Sequence, residues 1–309
     1  MHGQPKSKRD EVFKAPEAAE TYIRQVLQRC EDLVETHVWT GLHPQRLESW
    51  MTNFEALDEK YLGACVLDAL IYRSQEQTRA MMIQLFQRSL PDLCRTKSIG
   101  GFSGDWREAC SSSADPGIRI VPVIRDIDPP TESGPLVARL LKREIGVNDK
   151  WMIWPWQIDQ AIARGIRTFL LIDDFLGSGF QFTKFAKRTV RNPDWWQQAV
   201  FIYAPLVVFE RGAKRVARKF PFLHLTSAEF LDEGHSLFSK ESRAFADGQN
   251  EPSRAEAFYL AFLGKRGINR WRLGYGRLGL TFAFHHATPN GSIPLLWATG
   301  TGLKPLFGR

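Results

Sequence analysis

Three apolar runs, each followed by a turn and then by a helical pattern, constrain the fold of this chain more than any other feature. The runs cover Ile118 to Ile124, Thr168 to Asp173, and Ala199 to Phe209. Short runs of this kind, rich in β-branched and aromatic residues, are typical of buried strands. Because strands that alternate with helices are joined by right-handed crossovers, the pattern predicts an α/β fold: a parallel sheet flanked by helices, with ligand loops at the carboxyl ends of its strands.

The chain before these strands has a helical pattern. Apolar residues recur there at spacings of three and four, as at Ile23 and Val26. We therefore expect an N-terminal helical region at residues 1–97 and an α/β domain at residues 98–309. The Gly- and Ser-rich segment from Ser98 to Gly117 is expected to be a loop at the start of that domain.

Composition places the chain among globular proteins and favours an anionic partner. It has 309 residues, 41 Lys and Arg against 34 Asp and Glu, and a formal net charge of +7. The longest apolar run is too short to span a bilayer, and the N-terminus is polar and basic, so we expect no membrane contact and a cytoplasmic location. The cysteines are far apart, which argues against a zinc site or a disulfide framework: Cys30, Cys65, Cys94 and Cys110.

The stretch FLLIDDFLGSGFQF carries the strongest chemical signal. Asp173 and Asp174 end an apolar strand, and a turn of Gly177, Ser178 and Gly179 leads into a helix. A Rossmann unit has its glycines before its acid, and a Walker loop needs GxxxxGK[ST], so neither fits. A glycine turn at a helix N-terminus suits a phosphate, and two acids suit ribose hydroxyls. The alternative is that both acids only end the strand and cap the helix.

These residues resemble the type I phosphoribosyltransferase signature, in which an apolar strand, two acids and a short turn hold the 5′-phosphate of phosphoribosyl pyrophosphate (PRPP). Upstream, IRIVPVIRDIDPPTESGPLVARLLKREIG is similar to the strand, pyrophosphate loop and helix of that family. From the segment near Trp50 to the C-terminus, the chain resembles the phosphoribosyltransferase-like domain of prokaryotic conflict systems, PRTase-CE. That family is associated with antiphage defence operons, including some retrons.

The resemblance implies a role for each matching residue. Asp173 and Asp174 would contact the ribose and, through water, Mg²⁺, while Arg125 and Asp174 would act near the anomeric carbon. The alternative for Arg125 is a surface salt bridge. The implied pyrophosphate loop ends at Ser133 and Gly134. The implied phosphate-binding residues are Gly177, Ser178, Gly179, Phe180 and Gln181. Enzymes of the family usually have Thr where this chain has Gly177 and Gln181, so two hydroxyl donors are lost.

The C-terminal HHATPNGSIPLLW suggests a hood over an acceptor. A histidine or Asn290 would read a base edge and Trp297 would stack on it; the histidines are His285 and His286. The alternative is an edge strand with a tight turn and a core tryptophan, because turn propensity alone explains Pro-Asn-Gly.

A second charged feature is the helix-like RGAKRVARKF. Its cations share one helical face, where they would contact a nucleic acid or an acidic partner, or simply face solvent: Arg211, Lys214, Arg215, Arg218 and Lys219. In WMIWPWQ, Trp151, Trp154 and Trp156 are expected to pack in the core, the alternatives being a cover for the site or an interface.

Taken together, these features favour an effector of a bacterial defence system that binds a phosphorylated ribose compound, PRPP or a nucleotide, and carries out glycosyl or phosphoribosyl transfer. Other defence proteins are the expected partners. Two alternatives stay open: a catalytically silent nucleotide sensor or scaffold, and an N-glycosidase that acts on nucleotide or NAD pools.

Overall fold

A computed structural model describes residues 12–99, 105–189, 194–242, 244–245, 250–299 and 302–308, with only the backbone of Trp196. Its helices are α1 (Ala19–Glu35), α2 (Pro44–Met51), α3 (Leu57–Asp68), α4 (Gln75–Gln84), α5 (Leu90–Thr96), α6 (Trp106–Ser111), α7 (Ser133–Ile145), α8 (Ile158–Ala163), α9 (Phe180–Thr189), α10 (Trp195–Gln198), α11 (Glu210–Lys219) and α12 (Pro252–Lys265). Its strands are β1 (Ile71–Arg73), β2 (Ile118–Pro122), β3 (Thr168–Leu176), β4 (Val200–Phe209), β5 (His224–Leu225), β6 (Glu229–Leu231) and β7 (Phe282–Phe284).

The chain divides into two compact units, one of them built from both ends of the sequence. Residues 1–75 and 233–309 form the first unit, and residues 76–232 form the second. This division differs from the boundary expected between residues 97 and 98. The reason is long-range pairing within the first unit: β1 pairs in parallel with β7, and the buried Trp50 indole donates a hydrogen bond to the Leu295 carbonyl at 2.8 Å.

The second unit contains a five-stranded parallel sheet. The order is β2, β3, β4, and then β5 and β6, which both pair with β4. At the opposite edge, Met152 forms a parallel bridge with Ile120 of β2. The predicted α/β class with a parallel sheet flanked by helices is therefore confirmed.

Burial explains why the apolar runs became strands. In β3, every residue but Phe175 is buried, as expected for a central parallel strand covered on both faces. Phe182 stacks on Tyr203 with ring centroids 4.0 Å apart, and both rings lie in the core between the sheet and α9. This contact packs α9, the helix after the turn, against β4.

One local prediction needs correction. Part of the segment expected to be a loop is helical, since α6 begins after Asp105, whose carboxylate accepts hydrogen bonds from the Arg107 and Glu108 amides. Residues 100–104 of the same segment lie outside the described residues. In the described part of the chain, no helix has the length and apolar character needed to cross a bilayer.

Candidate functional site

The two acids lie near the carboxyl end of the central strand and are buried. Asp173 is 4% exposed and Asp174 is 7% exposed. Asp173 is in register with Pro205 of β4, and proline supplies no N–H to a ladder. The strand continues two residues past the acids, to Leu176.

Neutral donors hold the Asp173 carboxylate. The Ser133 hydroxyl donates to Oδ1 at 2.6 Å, the Asp174 amide donates to Oδ1 at 3.0 Å, and the Tyr203 hydroxyl donates to Oδ2 at 3.3 Å. Burial, and then the charge of Asp174, raise the pKa of the Asp173 carboxyl well above its ordinary value. Burial and the charge of Asp173 likewise raise the pKa of Tyr203. Asp173 thus ties the start of α7 to the centre of the sheet.

The glycine turn is shaped by close backbone contacts. Gly179 has a φ of +74°, a left-handed conformation that favours glycine, and α9 begins at the next residue. A side chain at Gly212 would lie 2.3 Å from the Gly177 carbonyl oxygen, so α11 meets the turn backbone to backbone. Thr183 donates its hydroxyl to the Gly179 carbonyl at 2.7 Å, and therefore this hydroxyl is directed to the helix backbone.

Arg215 contacts the same turn, although its spacing on α11 suggested only a member of a cationic face. Its Nε donates to the Ser178 carbonyl oxygen at 2.7 Å, and its guanidinium carbon lies 3.7 Å from the centroid of the Phe180 ring. The signal that could have found it is the order of elements, because helices after adjacent parallel strands start at the same edge of a sheet.

The loop between β2 and α7 contains an ion pair between two of its own residues, Arg125 and Asp128. Arg125 donates its amide and its Nε to Asp128 Oδ2, each at 2.9 Å, and its terminal nitrogen pairs with Oδ1. Arg188 of α9 pairs with Asp126. The residue predicted to act near the anomeric carbon, Arg125, is thus held by a carboxylate three residues away.

The loop also contacts the helix that follows the glycine turn. The Gln181 side-chain amide donates to Glu132 Oε2 at 3.3 Å. At the end of the loop, a side chain at Gly134 would lie 2.8 Å from the Val123 amide nitrogen, so α7 starts in direct contact with the backbone after β2. The adjacent residues Glu132 and Ser133 therefore connect Gln181 of α9 to Asp173 of β3.

The residues predicted to form a hood belong to the first unit, whereas the acids and the glycine turn belong to the second. The His285 and His286 rings contact each other edge to face at 4.8 Å. Asn290 is exposed in a turn, and its carbonyl accepts from the Tyr275 amide at 2.6 Å. The Trp297 indole donates to the Ser292 carbonyl at 3.2 Å and packs on the core of its own unit. Their role in the site stays a prediction.

The cationic face of α11 is only partly available to a partner. Arg211, Lys214, Arg218 and Lys219 are exposed, while Arg215 is partly buried against the turn. Lys214 pairs with Glu210 of the same helix.

The three tryptophans of the segment WMIWPWQ differ in their burial. Trp151 is 8% exposed, so the prediction of core packing is correct for it. Trp154 and Trp156 are 42% and 54% exposed, and their rings stack in parallel at 5.2 Å, so that prediction is wrong for these two.

Among the described residues, no group of three or more His, Cys, Asp and Glu side chains is arranged to hold a metal ion. Asp173 and Asp174 are two acids, and the first already accepts three hydrogen bonds. The donor set therefore does not fit an ion coordinated by protein side chains alone.

The sequence model of the PRTase-CE family matches residues 47–309, which include the acids, the glycine turn and the C-terminal segment. No curated protein matches the chain.

Proposed function

Because the chain belongs to the PRTase-CE family, we propose that the carboxyl end of β3 binds a phosphorylated ribose compound and that the protein transfers or hydrolyses a group at its anomeric carbon. One observation carries the proposal: two buried acids, the first of which accepts hydrogen bonds from neutral donors, directly precede a glycine turn that makes close backbone contacts. Family membership supports a phosphoribosyltransferase-like domain, and the ligand and the reaction are our inference.

In this proposal, the glycine turn holds the phosphate of the ligand and the acid pair holds its ribose. At the phosphate end, amides at the start of α9 supply donors to an anion, and the helix dipole favours negative charge there. At the sugar end, we assign the contact with the ribose hydroxyls to Asp174, as the family resemblance implies, while Asp173 accepts from Ser133 and Tyr203. Asp173 then acts by positioning its neighbour.

The reaction that suits this arrangement is displacement at the anomeric carbon. The bond to the leaving group breaks and its electron pair departs with that group, while a lone pair of the acceptor forms the new bond and the acceptor proton passes to solvent. A positive charge develops on the ribose ring, and the Asp174 carboxylate would stabilise it in a buried setting. If Mg²⁺ takes part, Asp173 and Asp174 would contact it through water, and the ion would neutralise negative charge on the ligand's phosphates.

We place this activity in bacterial antiphage defence, as the family resemblance implies, with other defence proteins as partners. Contact with nucleic acid through the exposed cations of α11 is part of the same proposal. The second candidate is a silent nucleotide sensor. It is favoured by the chain itself, because Gly177 and Gln181 supply no hydroxyl to the turn and Thr183 donates to the Gly179 carbonyl.

Calorimetric titration of the full chain with ribose 5-phosphate tests the binding step. We expect saturable binding that is lost in the Asp173→Asn, Asp174→Asn double variant and kept in Asp149→Asn, an exposed acid of the same unit that pairs with Lys142. Incubation with a nucleotide mixture then separates the hypotheses. Base release supports a glycosidase, pyrophosphate release from PRPP supports a phosphoribosyltransferase, and binding without turnover supports the sensor. Equal binding by the double variant and the wild type would refute the proposed site.

A further inference from the structure

We propose that this site selects 5′-phosphoribosyl compounds whose anomeric carbon carries a neutral or cationic group, such as the nucleobase of a nucleoside monophosphate, and rejects those that carry pyrophosphate there. The inference rests on the proposed function and narrows its ligand. It follows from the charges of the loop between β2 and α7, which is where the resemblance places pyrophosphate.

The loop carries more negative than positive charge. Its residues from Arg125 to Gly134 include one cation and three carboxylates, Asp126, Asp128 and Glu132. A loop that binds pyrophosphate needs an excess of donors and cations, because the ligand brings several negative charges into a space with little water. This loop has the opposite balance.

The cation of the loop is already neutralised. Arg125 binds Asp128 through its amide, its Nε and its terminal nitrogen. Burial alone would raise the pKa of Asp128, but the hydrogen bonds from Arg125 hold this pKa below its ordinary value. Asp128 therefore stays ionised and remains paired with the Arg125 guanidinium. To bind pyrophosphate, the Arg125 guanidinium would have to break its bonds to Asp128, whose side chain is 12% exposed. The Asp128 carboxylate would then lose its partner in a poorly solvated position, which is costly.

Arg188 of α9, a cation outside the loop, is also paired with a carboxylate of the loop. Arg188 donates to Asp126 through two nitrogens, with its NH2 at 3.0 Å from Oδ2. It therefore compensates one loop acid instead of adding net positive charge.

The third acid of the loop, Glu132, is partly buried. Gln181 donates to Glu132 from the glycine-turn side at 3.3 Å. Burial, and then the charges of Asp128 and Asp174, raise the pKa of Glu132, so Glu132 interacts electrostatically with both of these acids. An anionic leaving group at this loop would be repelled by its carboxylates, whereas a neutral base or a pyridinium would not.

The glycine turn, at the phosphate end of the proposed site, has a cation beside it, in contrast to the acidic loop. Arg215 contacts the Ser178 carbonyl and the Phe180 ring, next to the helix N-terminus that receives the 5′-phosphate. The site is thus polarised, with a cation and backbone donors at the phosphate end and carboxylates at the anomeric end. A nucleoside 5′-monophosphate has this polarity, and PRPP, anionic at both ends, does not.

The test compares AMP, PRPP and ribose 5-phosphate by calorimetric titration of the full chain, with and without Mg²⁺. We expect AMP to bind at least about tenfold more tightly than PRPP, which corresponds to about 1.4 kcal/mol. Asp128→Asn and Glu132→Gln should each narrow that ratio, the first by releasing Arg125 and the second by removing a charge. Asp149→Asn is the matched control, since it removes an exposed acid elsewhere in the unit, and it should leave the ratio unchanged.

Each outcome decides something. PRPP binding as tight as AMP binding in the wild type overturns the inference while leaving the proposed function standing. An unchanged ratio in both loop variants also overturns it, because selectivity would then have another source. If the wild type binds none of the three compounds, the proposed function fails and this inference fails with it.

Discussion

Arg215 and Ser178 are joined by a hydrogen bond of 2.7 Å, in which the arginine Nε donates to the serine carbonyl oxygen. The bond links α11, which follows β4, to the turn that follows β3. It uses a backbone acceptor that lies outside regular secondary structure, so the turn is held by a side chain from the next crossover. The conformation of the glycine turn therefore depends on a helix that is distant in sequence.

The first prediction concerns that arginine. Arg215→Lys keeps the charge but loses the planar group that stacks on Phe180 while its Nε bonds to Ser178. We expect the free energy of unfolding to fall by about 1–2 kcal/mol and ribose 5-phosphate to bind more weakly. Urea titration and calorimetry measure the two effects. Arg218→Ala is the control, because it removes an exposed cation of the same helix, and an equal loss in that variant would refute the specific role of Arg215.

The second prediction uses the close approach of α11 to the turn. In Gly212→Ala the new methyl group would lie 2.3 Å from the Gly177 carbonyl oxygen and 2.9 Å from Leu176, so the turn or the helix must move. We expect a loss of about 1–3 kcal/mol in the free energy of unfolding, together with weaker phosphate binding.

Gly264→Ala provides its control, since nothing lies within 4 Å of the added methyl group and the residue is inside α12. That variant should be unchanged or more stable by about 0.5–1 kcal/mol. Destabilisation of both variants by the same amount would show that the loss in Gly212→Ala does not come from the close contact with the turn.

The sequence predicted the sheet well because its signals were local. β2, β3 and β4 are runs of apolar residues long enough to be recognised alone, and their alternation with helices fixed the parallel order. β5 and β6 have two and three residues, and both are held mainly by pairing with β4. Such short strands have no pattern of their own.

Long-range contacts explain the rest of what was missed. The pairing of β1 with β7, which joins the two ends of the chain in one unit, involves strands of three residues more than 200 positions apart. The commitment of Arg125 to Asp128 and the contact of Arg215 with Ser178 depend on rotamers and loop geometry, which no spacing encodes. The acids and glycines were visible in the sequence, whereas the partners that tune them were not.

The third prediction concerns the bond from Ser133 to Asp173. Ser133→Ala removes a donor at 2.6 Å from a buried carboxylate, which leaves Oδ1 with the Asp174 amide alone. We expect the free energy of unfolding to fall by about 1–3 kcal/mol. Ser111→Ala, which removes an exposed hydroxyl bonded to the Arg107 carbonyl, should cost less. Repeating Ser133→Ala in an Asp173→Asn background gives the coupling between the two side chains, and a coupling of zero would contradict their interaction.

The last prediction is a pH dependence of stability set by Asp173. Because burial and the charge of Asp174 raise the pKa of this carboxyl, the folded protein holds its proton more tightly than the unfolded chain does. The stability that the group contributes is therefore complete below its ordinary pKa of about 4 and is lost as the pH rises through the raised value. Asp173→Asn cannot ionise and keeps an oxygen to accept from Ser133, so it should lose less stability over that range.

Urea titrations at a series of pH values measure the difference between the variant and the wild type, which should grow in favour of Asp173→Asn as the pH rises. Asp115→Asn supplies a control of opposite sign. The hydrogen bonds from Arg119 lower the pKa of Asp115, so its contribution is present above its ordinary pKa and is lost as the pH falls. If the difference for Asp173→Asn stayed constant with pH, the buried carboxyl would not titrate differently in the folded and unfolded states, and the electrostatic coupling of the acid pair would be wrong.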